Sequence, residues 1–267
     1  MPQRRTTRIR MTTTDISKQL LLQTWMSAAF PTGAFTCSHG LEAAISDERI
    51  HDAASCLAWL EGIIRFGSGW NDAVLTAATW SCVDRHVSEN ANPGNTRLSG
   101  LKNPMQMIDA STVTFDLKSQ LTYINDLAIA LCAGAERLKE TTQLGATFFK
   151  SASTCVNSDM ASTPWLDGDM SLPVAVGICG ALASIPQDEL LASSLQANSS
   201  NLIWIATRLV PLGQTDALQT ITALSPLIES TARDAAQSTL DDLGNGALLA
   251  ELSSLEHEQL TSRICIT

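Results

Sequence analysis

Residues 174–183 read Val-Ala-Val-Gly-Ile-Cys-Gly-Ala-Leu-Ala, a run with no polar side chain on any face. Ser171 stands ready as an N-cap, and Pro173 falls in the first turn, where a helix tolerates proline. At ten residues the run is too short to cross a bilayer. A helix that is apolar all round has to lie at the centre of a fold, with other helices on every side. The composition agrees: 45% of the 267 residues are hydrophobic but only 5% are aromatic, so small and unbranched side chains predominate. Such side chains favour closely packed helices over sheet. The expected fold is all-α, a single-domain, orthogonal-type bundle of about eight to ten helices.

Punctuation along the chain places the other elements. A first helix is expected over 15–29, capped by Asp15 and stopped by Phe30-Pro31-Thr32-Gly33. A short helix follows around 38–46, with Ser38 as its N-cap. Asp52 caps the next, whose stripe is Cys56, Leu57, Trp59, Leu60, Ile63 and Ile64, and Gly67-Ser68-Gly69 separates it from a helix over 70–83. Residues 86–116 are polar and turn-rich, and read as a loop or insertion. Helical patterning resumes over 118–153, and 157–169 reads as a second loop. A helix from Ile185-Pro186 reaches Leu209, where Pro211-Leu212-Gly213 interrupts. Two helices, 215–224 and 226–240, are expected to follow, with Ser225-Pro226 between them. Gly244-Asn245-Gly246 closes the regular part and leaves a flexible tail over 247–267. The domain runs over 15–246, preceded by a basic, disordered leader over 1–14.

The chain holds 17 basic and 27 acidic residues, a net charge of −10. Arg4, Arg5, Arg8 and Arg10 all lie in the leader; without them 13 basic residues face 27 acids, a net of −14 for residues 15–267. A body so acidic repels phosphate backbones, which argues against nucleic acid and suits a basic protein partner or simple solubility. No run of 18 apolar residues is present, so no membrane association is expected, and a cytoplasmic protein is the default reading. The seven cysteines lack a CxxC pair and sit mostly among apolar residues, which fits small core hydrophobes.

Signatures of catalysis are missing: no phosphate-cradling GxxxxGK[ST], HExxH, GxSxG or GxGxxG occurs. Glu48 and His51 have the Glu-x-x-His spacing of a helical di-iron site, but that site needs two copies and no second exists. Asp241 and Asp242 read as an exposed helix end. Cys37 and His39, two apart, could share a metal with His257, which sits between Glu256 and Glu258.

Four segments carry a resemblance. Residues 30–42, Phe-Pro-Thr-Gly-Ala-Phe-Thr-Cys-Ser-His-Gly-Leu-Glu, are similar to the signature P-x-G-[AS]-[FY]-x-x-S-[HQ]-G-L-E through Pro31, Gly33, Phe35, Ser38, His39, Gly40, Leu41 and Glu42. Residues 172–177 resemble Y-P-V-A-x-G through Pro173, with Leu172 where an aromatic is usual. Arg208 to Asp216 match R-L-x-P-L-G-Q-T-D, including Pro211, Gly213 and Gln214. His257, Glu258, Ser262 and Arg263 keep step with H-E-x-x-x-S-R. Together they resemble the UreF family of urease accessory proteins. Departures are Thr261 and Ile266 in the terminal motif, Leu138 two places after Glu136 where arginine is common, and a longer 86–116 segment.

The resemblance implies an all-helical, non-catalytic scaffold that tends to form a homodimer and binds a UreD/UreH-type accessory protein. That pair recruits the GTPase UreG, and the assembly supports nickel insertion into apo-urease. Nickel is then handled by the assembled complex, with no cofactor bound tightly by this chain. The resemblance also puts the UreD contact in the tail 247–267, ordering on binding. Arg208, Gln214, His257, Glu258, Ser262 and Arg263 are the expected partner-binding residues, and the turn residues of the other motifs serve structure. The alternative is a nickel-binding metallochaperone using Cys37, His39 and His257.

Overall fold

The computed structural model describes residues 13–91, 117–156 and 165–267. The leader up to residue 12, most of the 86–116 segment and the first part of the 157–169 loop lie outside the described residues. Ten α-helices occur in chain order among the described residues: α1 Thr13–Trp25, α2 Leu41–Ser46, α3 Ala53–Phe66, α4 Ser68–Ala91, α5 Leu117–Ala130, α6 Ala135–Ser153, α7 Leu172–Leu182, α8 Gln187–Leu209, α9 Gln214–Gln237 and α10 Leu248–His257. No strand occurs among them.

The apolar run sits where its composition requires. Every residue of α7 from Pro173 to Ala181 is buried, with α4 and α6 packed against it. Gly177 permits the approach to α4: a Cβ there would lie 2.6 Å from Thr79 Cβ and 2.9 Å from the Thr76 carbonyl oxygen. Ser171 takes the N-cap position with an extended backbone, but its hydroxyl makes no capping hydrogen bond. Asp52 does cap α3, its Oδ1 accepting from the Ser55 N–H at 2.8 Å. Around α7, one apolar cluster gathers α3, α8 and α9, a second gathers α1 and α6, and a third gathers α4 and α5.

Several boundaries differ from the sequence expectations. α1 starts at Thr13, so Asp15 lies inside its first turn, and turns take over after Trp25. α4 continues through 86–91, which the polar composition assigns to a loop; Asn92-Pro93-Gly94 is the first strong stop. The helical patterning over 118–153 resolves into two helices, with a break between Ala130 and Ala135 where Gly134 becomes an extended N-cap for α6. Conversely, Pro226 does not divide α9. A proline inside a helix removes one backbone hydrogen bond and costs about 3 kcal/mol. Leu224, Leu227 and Ile228 flank it on the buried face and carry the helix across against α3 and α8.

The largest correction concerns the tail. Residues 247–267 do not trail away from the body: they form α10 and an extended end that packs beside α2 and α6. Polar composition suggested a free segment because the residues α10 buries are Ser253, Ser254 and His257. Its leucines point outward, Leu248 at 68%, Leu249 at 60%, Leu252 at 49% and Leu255 at 40% exposure.

Candidate functional site

The tail is fastened to the body at three levels, and the first is backbone. Gly33 takes φ 84° and opens a 3-10 turn, Ala34–Thr36, that lays residues 36–38 alongside the end of the chain. Ile266 N–H donates to the Thr36 carbonyl at 2.8 Å, and Ser38 N–H donates to the Thr267 carbonyl at 2.6 Å. The Ser38 hydroxyl donates to that same carbonyl at 2.8 Å. The N-cap of α2 is Gly40 at φ 75°, while the Ser38 carbonyl accepts from the Leu41 N–H at 2.9 Å and its hydroxyl meets the Glu42 N–H only at 3.5 Å. Only glycine fits position 40, since a Cβ would meet the α10 backbone, 2.7 Å from the Ser253 carbonyl carbon.

The second level is a buried ion cluster. Glu42 in α2 accepts from the N–H groups of Ile264 at 2.7 Å and Cys265 at 2.8 Å. His257, fully buried, sets Nδ1 2.6 Å from Glu136 Oε2 and Nε2 3.4 Å from Glu42 Oε2. Arg263 pairs with the other oxygen of Glu136. Glu258 Oε1 accepts from the Glu136 N–H at 3.1 Å, a carboxylate at the positive end of α6. Burial alone would push the Glu42 carboxyl up. The two backbone donors and His257 outweigh it and hold Glu42 below the usual carboxylate range.

The third level links the tail to the interior. Thr267 Oγ1 donates to Glu140 Oε2 at 2.6 Å, and Glu140 Oε1 is 2.8 Å from both His39 Nε2 and Arg137 Nη1. Burial also opposes ionisation of Glu140, and the close contacts to His39 and Arg137 with the Thr267 hydroxyl reverse that, leaving its pKa lowered. Burial, then the Arg137 charge, lower His39 to about 4 against the pull of Glu140, so its ring is neutral near pH 7. Outside the cluster, Arg49 grips Glu256 at 2.7 and 3.0 Å and the Ser253 hydroxyl at 2.6 Å.

The structure thus brings three of the sequence motifs together. Arg208, at the end of α8, donates to the Phe35 carbonyl at 3.1 Å and so supports the turn that receives the tail. Asn201, two turns earlier, donates to the Ala34 carbonyl at 2.8 Å. His257, Glu258 and Arg263 converge on Glu136. Gln214 and Ser262 are exposed and stand outside this cluster, as does Phe35's side chain. Leu212 is buried beside exposed Pro211, and Gly213 caps α9. Thr261 and Ile266, the departures from the motif, are both exposed. The expected E-x-x-H pair is a surface feature, with His51 Nδ1 3.2 Å from the Glu48 carbonyl. Asp242 serves the chain locally, accepting from the Thr239 N–H at 2.8 Å.

Cys37, His39 and His257 do not form a ligand set. His39 Nε2 and both nitrogens of His257 face carboxylates, and burial raises the Cys37 thiol above its ordinary pKa. No group of three or more His, Cys, Asp or Glu arranged to hold a metal ion occurs among the described residues. Sequence reasoning missed Arg137 and Glu140 altogether and singled out Glu136 only for the leucine two places after it. A signal was present: Glu140, Leu144 and Phe148 are four apart, so the apolar stripe of α6 runs into a carboxylate, which then has to be paired.

The UreF family profile matches residues 50–225, well over half of the chain. The chain belongs to the UreF family. A urease accessory protein UreF from Cereibacter sphaeroides (strain ATCC 17023) is 37% identical over 245 residues, covering 92% of this chain and 96% of that protein. One from Mesorhizobium japonicum is 35% identical over 245 residues, with 92% and 94% covered. Urease accessory protein UreF 1 of Brucella abortus is 34% identical over 255 residues, with 94% and 96% covered. The UreF profile ends before α10, whereas these full-length matches cover nearly all of both chains. No described helix is long and apolar enough to cross a membrane.

Proposed function

We propose that this UreF-family chain is a non-catalytic, cytoplasmic scaffold for urease maturation. In this reading it binds a UreD/UreH-type accessory protein, helps recruit the UreG GTPase as a homodimer, and supports nickel insertion into apo-urease. The nickel passes through the assembled complex, and this chain holds no tight cofactor.

The observation that carries the reading is the inverted face of α10. An amphipathic helix ordinarily turns its leucines inward. Here polar residues are buried and four leucines are exposed, with exposed Phe66 beside them, since Gly246 and Ala247 N–H groups both donate to the Phe66 carbonyl. An apolar face held out by a rigid polar mount suits a protein partner. The mount explains why motif residues such as His257 and Arg263 matter without meeting the partner: they orient the helix.

The test is co-expression with the UreD-type protein, followed by size-exclusion chromatography with light scattering. The intact chain should co-elute with the partner, and Leu249→Asp/Leu252→Asp should elute alone with its helical circular dichroism intact. Retention of the complex by the double variant would overturn α10 as the contact. Failure of the intact chain to bind would overturn the scaffold reading.

A further inference from the structure

A cleft of about 1120 Å³ opens among α1, α4, α6, α7, α8 and α9. Its inner wall is apolar, with Leu22, Trp25, Leu144, Phe148 and Val176, and the Trp25 and Phe148 rings meet edge to face at 5.9 Å. Its polar end is formed by His39, Asp72, Arg137 and Glu140, and Glu189 and Glu229 also line it. Asp72, Glu140 and Glu189 therefore share the lining with a single guanidinium, Arg137, already engaged 2.8 Å from Glu140, while Glu229 is paired with Arg233 at 3.2 Å.

Two buried polar atoms on this lining have no hydrogen-bond partner: His39 Nδ1 and Trp25 Nε1. The first defines what the site accepts. With Nε2 donating to Glu140 in the neutral ring, Nδ1 presents a lone pair, more than nine-tenths of the side chain being buried. An incoming carboxylate would set its own lone pairs against Nδ1 and its charge against Asp72. A donor head with positive charge satisfies both, and an apolar body fits the wall behind it.

We propose that this cleft binds a small organic cation, an ammonium head at His39 and Asp72 with an apolar body against Trp25 and Phe148. Thr267 touches Glu140, so the seated tail helps complete the polar end. The proposal does not depend on the scaffold reading.

The full-length chain is titrated with n-octylammonium chloride by isothermal calorimetry and tryptophan fluorescence, beside sodium octanoate and nickel chloride alone. Saturable one-site binding of the amine is expected, with octanoate at least roughly tenfold weaker. Asp72→Asn should weaken the amine roughly tenfold. Ala192→Phe, which narrows the cleft, should abolish binding. Between pH 5 and 7 affinity should rise as Asp72 ionises, since burial raises its pKa to about 6 despite Arg137, with Glu140 and Glu251 adding to the rise. Equal binding of octanoate, indifference to Asp72→Asn, no saturation below about 1 mM, or displacement of the amine by nickel would each overturn the assignment.

Discussion

α7 and α10 are of similar length, 11 and 10 residues, and are mounted in opposite ways. α7 buries apolar surface on all sides, and no directional contact is needed to keep it there. α10 buries two serines and a histidine and is held by hydrogen bonds and ion pairs to Glu42, Glu136 and Arg49. Apolar burial is non-directional and resists release, because release exposes area to water. A polar mount fixes orientation more sharply, yet its groups regain water when it opens. The centre of the molecule is built for permanence and the α10 edge for aim.

Substitution in each helix tests that contrast. Ile178→Ala in α7 should cost up to about 5 kcal/mol of global stability, as large-to-small changes in a packed core do, measured by urea denaturation. Leu252→Ala in α10 should stay within about 0.5 kcal/mol in the free chain. A comparable loss from both would mean that the leucine face is covered in the free chain too.

His257→Ala comes next. It strands Glu42 and Glu136 without their shared partner, and breaking a buried pair costs about 3 kcal/mol. The loss should be local: amide hydrogen exchange over 248–267 accelerates while α7 keeps its protection. Uniform acceleration across both helices would show that α10 is part of the cooperative core.

Smaller effects separate the two regions by pH. Glu42 and Glu140 have lowered pKa values in the folded chain, so their contribution is present above the ordinary glutamate range and fades as pH falls through it. His39, lowered to about 4, acts in the same direction, because unfolding lets it take up a proton between there and pH 6.5. The tail should therefore loosen below about pH 5 before α7 does, visible as early exchange over 248–267. Asp72 runs the other way: with its pKa raised from 3.8 to about 6, stability falls as pH rises through that interval and the full penalty stands above it. Asp72→Asn should raise the melting temperature at pH 7.5 and leave it unchanged at pH 3; an equal gain at both would remove ionisation as the cause.

Much of the permanent region was legible in the sequence, because an apolar run between a proline and a turn has one stable location. The turn glycines were legible as well, and Gly33 and Gly40 do adopt left-handed backbone. The polar mount was not. Glu136, Arg137 and Glu140 look like a solvated helix face unless the α6 stripe is followed backwards from Phe148 through Leu144. Nothing local says that Glu42 will meet Cys265, 223 residues away. Pro226 misled for the related reason that tertiary burial on both sides of it overrode a strong local preference.

The anchoring of Ser38 to Thr267, 229 positions apart, has a consequence for how partners compete. Once the helical body has folded, the chain between α9 and α10 is itself pinned, by Gly244 N–H on Asn71 at 3.0 Å and Gly246 N–H on Phe66 at 2.6 Å. The segment 248–267 then behaves as a ligand tethered beside its own receptor, at an effective concentration on the order of millimolar or above. Even a weak intrinsic affinity keeps such a ligand seated. A protein that grips the outward leucines leaves that equilibrium in place and adds to it, whereas one that needs the buried serines and histidine has to outbid the tether.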